Sequence, residues 1–238
     1  MGGTAPAAAD GGKLGDGVDA GTEAGADGSS STDGASGCPA GAVCDDFEGA
    51  GTIAWRPMMT GNATIGVDAV KPKSGMRSLH ASRPTAAGRE LAYYELTPSG
   101  TLRSCDLDVF ATGSTNGSLS VFNFGYGSVE PPFTNYSLSM QIGGGLAEYG
   151  PMGSSPALYH DVHIAALAFG RWLHVRLDFD WTPSAAGLTV TVDGAAQPKF
   201  SITPPKGTMP YVQLGVTYQS AVGQGWDVFV DNVVCASN

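Results

Sequence analysis

The chain is short of positive charge. Twelve Lys and Arg stand against 22 Asp and Glu in 238 residues, for a net charge of −10 at pH 7. That balance, with no basic cluster to override it, argues against binding nucleic acid or an anionic membrane. Long hydrophobic runs are missing too. With no stretch of about 18 apolar residues, no transmembrane segment is expected. Met1–Pro6 has neither the charged nor the apolar region of a signal peptide, so the natural chain is expected to begin further upstream. No HExxH, GxSxG, Walker or dinucleotide fingerprint is present, and no CxxC pair with nearby His suggests zinc. Residues 1–37 lack large aliphatic side chains apart from Met1, Leu14 and Val18. Such a Gly/Ala/Asp/Ser/Thr segment cannot bury enough apolar surface to offset its backbone entropy, so it is expected to be a disordered tether. It carries half of the net charge: Asp10, Asp16, Asp19, Glu23, Asp27 and Asp33 against Lys13.

What remains, residues 38–238, has the length of one large all-β domain. The stretch Arg171 to Gly194 shows the pattern best. Leu173, Val175, Leu177 and Phe179 alternate with Trp172, His174, Arg176 and Asp178. A period of two sets an apolar row on a core and a polar row on the other face. Turn residues follow from Thr182 to Gly187. Leu188, Val190 and Val192 then alternate again up to the tight turn Asp193-Gly194. We expect this hairpin to be the centre of the fold. Roughly a dozen strands at about ten-residue spacing, and no convincing helical period, predict a two-sheet antiparallel sandwich, a jelly roll.

The four cysteines, Cys38, Cys44, Cys105 and Cys235, allow three pairings. Cys38 and Cys44 bracket a small loop. Cys105 and Cys235 would meet if the strands from Thr101 and from Trp226 are antiparallel neighbours. The alternative is four buried thiols in a cytosolic protein; the tail composition favours export and disulfides.

Three short pieces carry a family resemblance. Trp172-Leu173-His174-Val175 followed by Leu188–Gly194 resembles the hairpin of laminin-G-like and concanavalin A-like lectin/glucanase domains. Asp45-Asp46-Phe47-Glu48-Gly49 with Trp55 resembles that superfamily's opening strand, and Val228–Val234 its closing strand. The resemblance implies a jelly roll of exported bacterial type, often with a structural calcium joining first and last strands. The matching positions are Asp231, the Gly75 carbonyl and Asp46 to Glu48. Oxygen-only shells suit calcium.

Three functions compete. The glucanase E-x-D-x-E strand is absent, which counts against that hydrolysis. Alginate-type lyases of this architecture are matched only in part: Arg89-Glu90-Leu91 lacks the residue between Arg and Glu. Tyr211–Gln219 lacks the lysine, and Gln141-Ile142 is followed by Gly143 instead of His. A lyase would rely on Arg89 and Tyr218, a cation and a base at a uronate. Sugar binding needs exposed aromatics flanked by amides. Tyr126 and Tyr149, placed in Gly-rich loops, with Asn123 and Gln141, are the expected ligand residues. Asn135, Phe124, Tyr136, Tyr159, Tyr218 and Trp226 are further candidates, although most sandwich aromatics are core. His160 and His163 fall on opposite strand faces and cannot jointly clamp a metal. The sequons at Asn62, Asn116 and Asn135 matter only in a eukaryotic source. The expectation is a monomeric, extracellular or surface-tethered module that binds a polysaccharide or glycan without catalysis. The alternatives are a uronate-polymer lyase and a structural or protein-binding sandwich without a sugar site.

Overall fold

In the strand Trp172–Asp180, Leu173, Val175 and Leu177 are fully buried while His174 and Arg176 are exposed, as the alternation requires. The structure, a computed structural model, describes residues 38–49, 55–84, 90–113, 119–127, 136–142, 146–151, 160–164, 166–202, 209–219 and 225–237. Within them the strands are β1 (Ala42–Asp45), β2 (Arg56–Met59), β3 (Thr64–Asp68), β4 (Ser78–Arg83), β5 (Ala92–Leu96), β6 (Leu102–Thr112), β7 (Leu119–Gly127) and β8 (Tyr136–Ile142). They continue as β9 (Leu146–Pro151), β10 (His160–His163), β11 (Trp172–Asp180), β12 (Gly187–Val192), β13 (Ala195–Ala196), β14 (Phe200–Ser201), β15 (Met209–Gln219) and β16 (Trp226–Ser237). Among the described residues there is no helix, hence none long and apolar enough to cross a membrane.

Two antiparallel sheets form a sandwich. The nine-stranded sheet runs β13-β12-β11-β6-β16-β4-β3, with β1 added to β16 and β14 to β12. The seven-stranded sheet runs β10-β9-β8-β7-β15-β5-β2. The first sends Leu79, Leu107, Val109, Val175 and Val230 inward; the second sends Phe122, Phe124, Met140, Val212 and Leu214. The two faces meet where the Phe124 ring sits 4.9 Å from that of Phe179.

The β11–β12 hairpin forms as expected, and the turn from β12 to β13 holds Asp193 and Gly194, both at positive φ (50° and 80°). The hairpin is not the centre. The middle of the strand order is β6, beside β16, which pairs with β6, β4 and β1. Local alternation reveals a hairpin, but the middle of a sheet is decided by non-local pairing. In β16, Val228 and Val230 face inward and so does Val233. A bulge between Asp231 and Val234 makes the change of parity, with Asn232 at φ 51°. Asn tolerates that left-handed conformation better than most residues.

Cys38–Cys44 and Cys105–Cys235 are both disulfides, and no described cysteine is free. Cys105 and Cys235 stand opposite each other on antiparallel β6 and β16. Two disulfides fit an oxidising, extracellular setting. The segment from Tyr149, expected to be loop, begins inside β9, and the described part of the strand expected over 157–167 contains β10. The tether expected over residues 1–37 lies outside the described residues.

Candidate functional site

The outer face of the seven-stranded sheet carries a continuous polar row. Alternation sends Tyr94 inward, where it stacks on Trp55, and so turns Tyr93 and Glu95 outward. The same rule turns Tyr211 and Gln213 outward between buried Val212 and Leu214, and Asn123 outward between Phe122 and Phe124. Register aligns them: Arg56 opposite Glu95, Glu95 opposite Gln213, and Gln213 opposite Asn123. The backbone continues the line through Ser139, Glu148 and Asp161.

From Arg56 to Asn123 the row is linked by hydrogen bonds. Arg56 Nη2 lies 2.7 Å from Glu95 Oε1. Gln213 donates from Nε2 to Glu95 Oε2 at 2.8 Å, and Asn123 donates from Nδ2 to Gln213 Oε1 at 2.9 Å. Burial deepens along it: the Arg56 side chain is 68% exposed, that of Glu95 23%, and Asn123 only 7%. Asn123 Oδ1 is buried and has no hydrogen-bond partner. Tyr93 and Tyr211 flank the row on either side, and each has a glycine, Gly215 or Gly125, opposite it on the next strand. Burial pushes the Tyr93 phenol above its usual range, and the Glu95 carboxylate adds to the rise. The phenol therefore keeps its proton at neutral pH and can donate a hydrogen bond.

A second polar group ties the ends of the domain together. Glu48 Oε1 accepts the backbone N–H of Met76 and Arg77 at 2.6 and 2.7 Å. Asp231 Oδ2 accepts those of Lys73 and Ser74 at 2.9 and 3.0 Å, and its Oδ1 that of Asn232. Gly75, at φ 58°, sits between these anchors, where a Cβ would strike the Glu48 carboxylate. Asp231 is fully buried, and burial raises its carboxyl above the ordinary range. Nearby Asp108 pushes it the same way, against the three N–H donors. The expected metal positions Glu48, Gly75 and Asp231 are thus brought to one loop. Among the described residues, no three His, Cys, Asp or Glu side chains converge closely enough to hold a metal alone.

The other expected residues fare unevenly. Asn123 and Gln141 both fall on outward positions of the seven-stranded sheet. Tyr126 and Tyr149 lie in β7 and β9, not in Gly-rich loops; Tyr149 is in register with Leu138 and Phe124, and Tyr126 with Tyr136 and Pro210, so neither is in register with the Glu95 row. Their side chains are outside what the structure describes. Phe124 and Trp226 belong to the core. Of the lyase pair, Tyr218 is 42% exposed beyond a bulge in β15, five residues along from Gln213 or roughly 16 Å. Arg89 lies outside the described residues, as do Tyr159, Asn116 and Asn135. Sequence reasoning missed Arg56, Tyr93, Glu95, Tyr211 and Gln213. Tyr93, Glu95, Tyr211 and Gln213 sit on alternating strands, so their outward positions were legible, whereas Arg56 lies in β2, exposed throughout. Their partners, on strands far apart in the chain, were not legible.

No family model and no curated protein matches this chain. Solved structures do. An endo-β-1,4-glucuronan lyase from the fungus Trichoderma reesei superposes with a TM-score of 0.56 at 13% identity, covering 78% of this chain and 92% of the other. A cellulose-induced protein gives 0.53 at 15% identity over 82% and 97%. A carbohydrate-binding module from Bacillus subtilis gives 0.45 at 9% identity over 78% and 96%. The chain shares a jelly-roll β-sandwich fold with the first two. At such identity the likeness is one of fold.

Proposed function

We propose that the protein is a carbohydrate-binding module whose site is the Arg56–Glu95–Gln213–Asn123 row. The observation that carries the reading is the row itself. A hydrogen-bonded line of a carboxylate and two amides, sinking from an exposed edge to a buried centre and flanked by Tyr93 and Tyr211, offers what a sugar needs. Amides and carboxylate bind hydroxyls in fixed directions, and tyrosine rings take the apolar face of a pyranose. The location that goes with this role is extracellular, with residues 1–37 as a surface tether. A glycan array on the full chain tests the reading. Binding lost in Gln213→Ala and kept in an exposed substitution on the opposite sheet, such as Arg176→Ala, supports it. Growth of unsaturated-uronate absorbance on any polymer would make the protein a lyase, and silence on every glycan would leave a structural sandwich.

We also propose a structural calcium at the Glu48–Gly75–Asp231 loop. The donors are all oxygen, which suits a hard cation, and backbone carbonyls would complete the shell. The buried Asp231 charge, beside Asp108 and opposed by N–H dipoles, gives a cation an electrostatic reason to bind. Bound there, it would neutralise these carboxylates. Glu48 and Asp231 hold the loop in either case, through the N–H bonds they accept from it.

A further inference from the structure

The direction of the amides in the row is not free. The Glu95 carboxylate, paired with Arg56, accepts hydrogen bonds, so Gln213 must turn its Nε2 toward it. Gln213 Oε1 then faces the other way, and Asn123 must answer with Nδ2. This order leaves Asn123 Oδ1 at the far end as an acceptor without a donor, in a side chain only 7% exposed. A buried carbonyl oxygen left in that state is costly, and a ligand that supplies a donor gains by relieving it. Among the described residues of the row the one cation is Arg56, and it is paired with Glu95.

We propose that this relay makes the site selective for neutral, hydroxyl-bearing sugars over uronates, with Asn123 Oδ1 taking a sugar O–H and Glu95 setting the orientation of Gln213 and Asn123. The inference rests on the carbohydrate-binding reading above and adds the substrate class. Separate sugar hydroxyls donate to Asn123 Oδ1 and to Glu95, and a hydroxyl oxygen accepts from the spare N–H of Gln213. A uronate carboxylate has no hydrogen to give Oδ1 and meets the like charge of Glu95, which Arg56, mostly in water, screens only in part. Oδ1 is closed to solvent without ligand, so docking includes a shift of the side chains that screen it. Glu95 is here a positioning residue, and Asn123 determines specificity.

The test is a binding panel on the full chain, with neutral xylan, glucan and mannan set against glucuronan, alginate and polygalacturonate. Wild type, Glu95→Gln and Asn123→Asp are compared, with folding checked by circular dichroism. At least tenfold preference for a neutral polymer is expected. Glu95→Gln, whose amide can face Gln213 either way, narrows that preference by about tenfold in the ratio of affinities, which a merely structural role would not do. The side-chain amide resonances of Gln213 and Asn123 also shift in Glu95→Gln without any ligand. Preference for a polyuronate that still depends on Gln213 overturns the selectivity and leaves the binding site standing. An unchanged ratio in Glu95→Gln overturns the relay. Absence of binding to every polymer removes both.

Discussion

The Asp231 carboxylate accepts the backbone N–H of Lys73 at 2.9 Å, tying the last strand to a loop 158 residues earlier in the chain. It takes Ser74 and Asn232 as well, so one buried side chain satisfies three backbone donors. Replacing Asp231 with Ala leaves those donors unpaired and is expected to cost about 2–4 kcal/mol in chemical denaturation. A change under about 0.5 kcal/mol would mean that the loop does not depend on it.

Ionisation of the same carboxylate gives a pH signature. Burial raises Asp231, and likewise Asp45, above the ordinary value of 3.8. Between that value and the raised one, the folded chain holds protons that the unfolded chain has released. Their stabilising contribution is therefore complete below the ordinary value and is lost as pH rises through the folded values. Asp193, lowered by the His174 N–H and then by Arg171, acts in the opposite sense. The difference between wild type and Asp231→Asn isolates Asp231, and the variant should lose less stability between pH 4 and pH 7. Millimolar calcium should raise the wild-type Tm at pH 7, with little effect at pH 4 or in the variant. An unchanged Tm would contradict the calcium proposal and leave Glu48 and Asp231 as loop anchors.

The two disulfides should contribute unequally. Cys105–Cys235 spans 130 residues and Cys38–Cys44 spans 6. Chain entropy assigns about 5 kcal/mol to the first and about 2 kcal/mol to the second. Paired Cys→Ala variants, followed by thermal unfolding, should show the larger Tm loss for the long loop. Equal losses would contradict the entropic account.

Arg83 is buried against Glu90 at 3.2 Å and donates to Gln219 at 2.8 Å. Glu90→Ala should destabilise by about 3–5 kcal/mol by removing the carboxylate paired with a buried guanidinium. The double variant Arg83→Met, Glu90→Leu should recover most of that loss. If the double variant is no more stable than Glu90→Ala, the pair is needed for more than mutual neutralisation.

How much of this was legible in the sequence follows from range. The faces of β11 and β12 could be read because both strands and their turn lie within some twenty residues of chain. The Cys105–Cys235 bridge was conditionally legible, waiting on β6 and β16 being neighbours. Asn123 and Gln141 were named as amides near aromatics, and both lie on outward positions of the seven-stranded sheet. Tyr126 and Tyr149 were misplaced because nearby glycines suggested loops, whereas β7 and β9 run through them. The Glu95–Gln213–Asn123 contacts join three strands through register, which periodicity within a strand does not encode.

The most direct measurement is isothermal titration of the full chain with the best array glycan, comparing wild type with Gln213→Ala and Tyr93→Ala. Removing one hydrogen-bonding amide from the row should weaken binding about tenfold, and removing one flanking ring about three- to tenfold. Thermal unfolding should stay near wild type in both. Affinity unchanged in both variants would contradict the account, because the ligand would then sit somewhere other than this face.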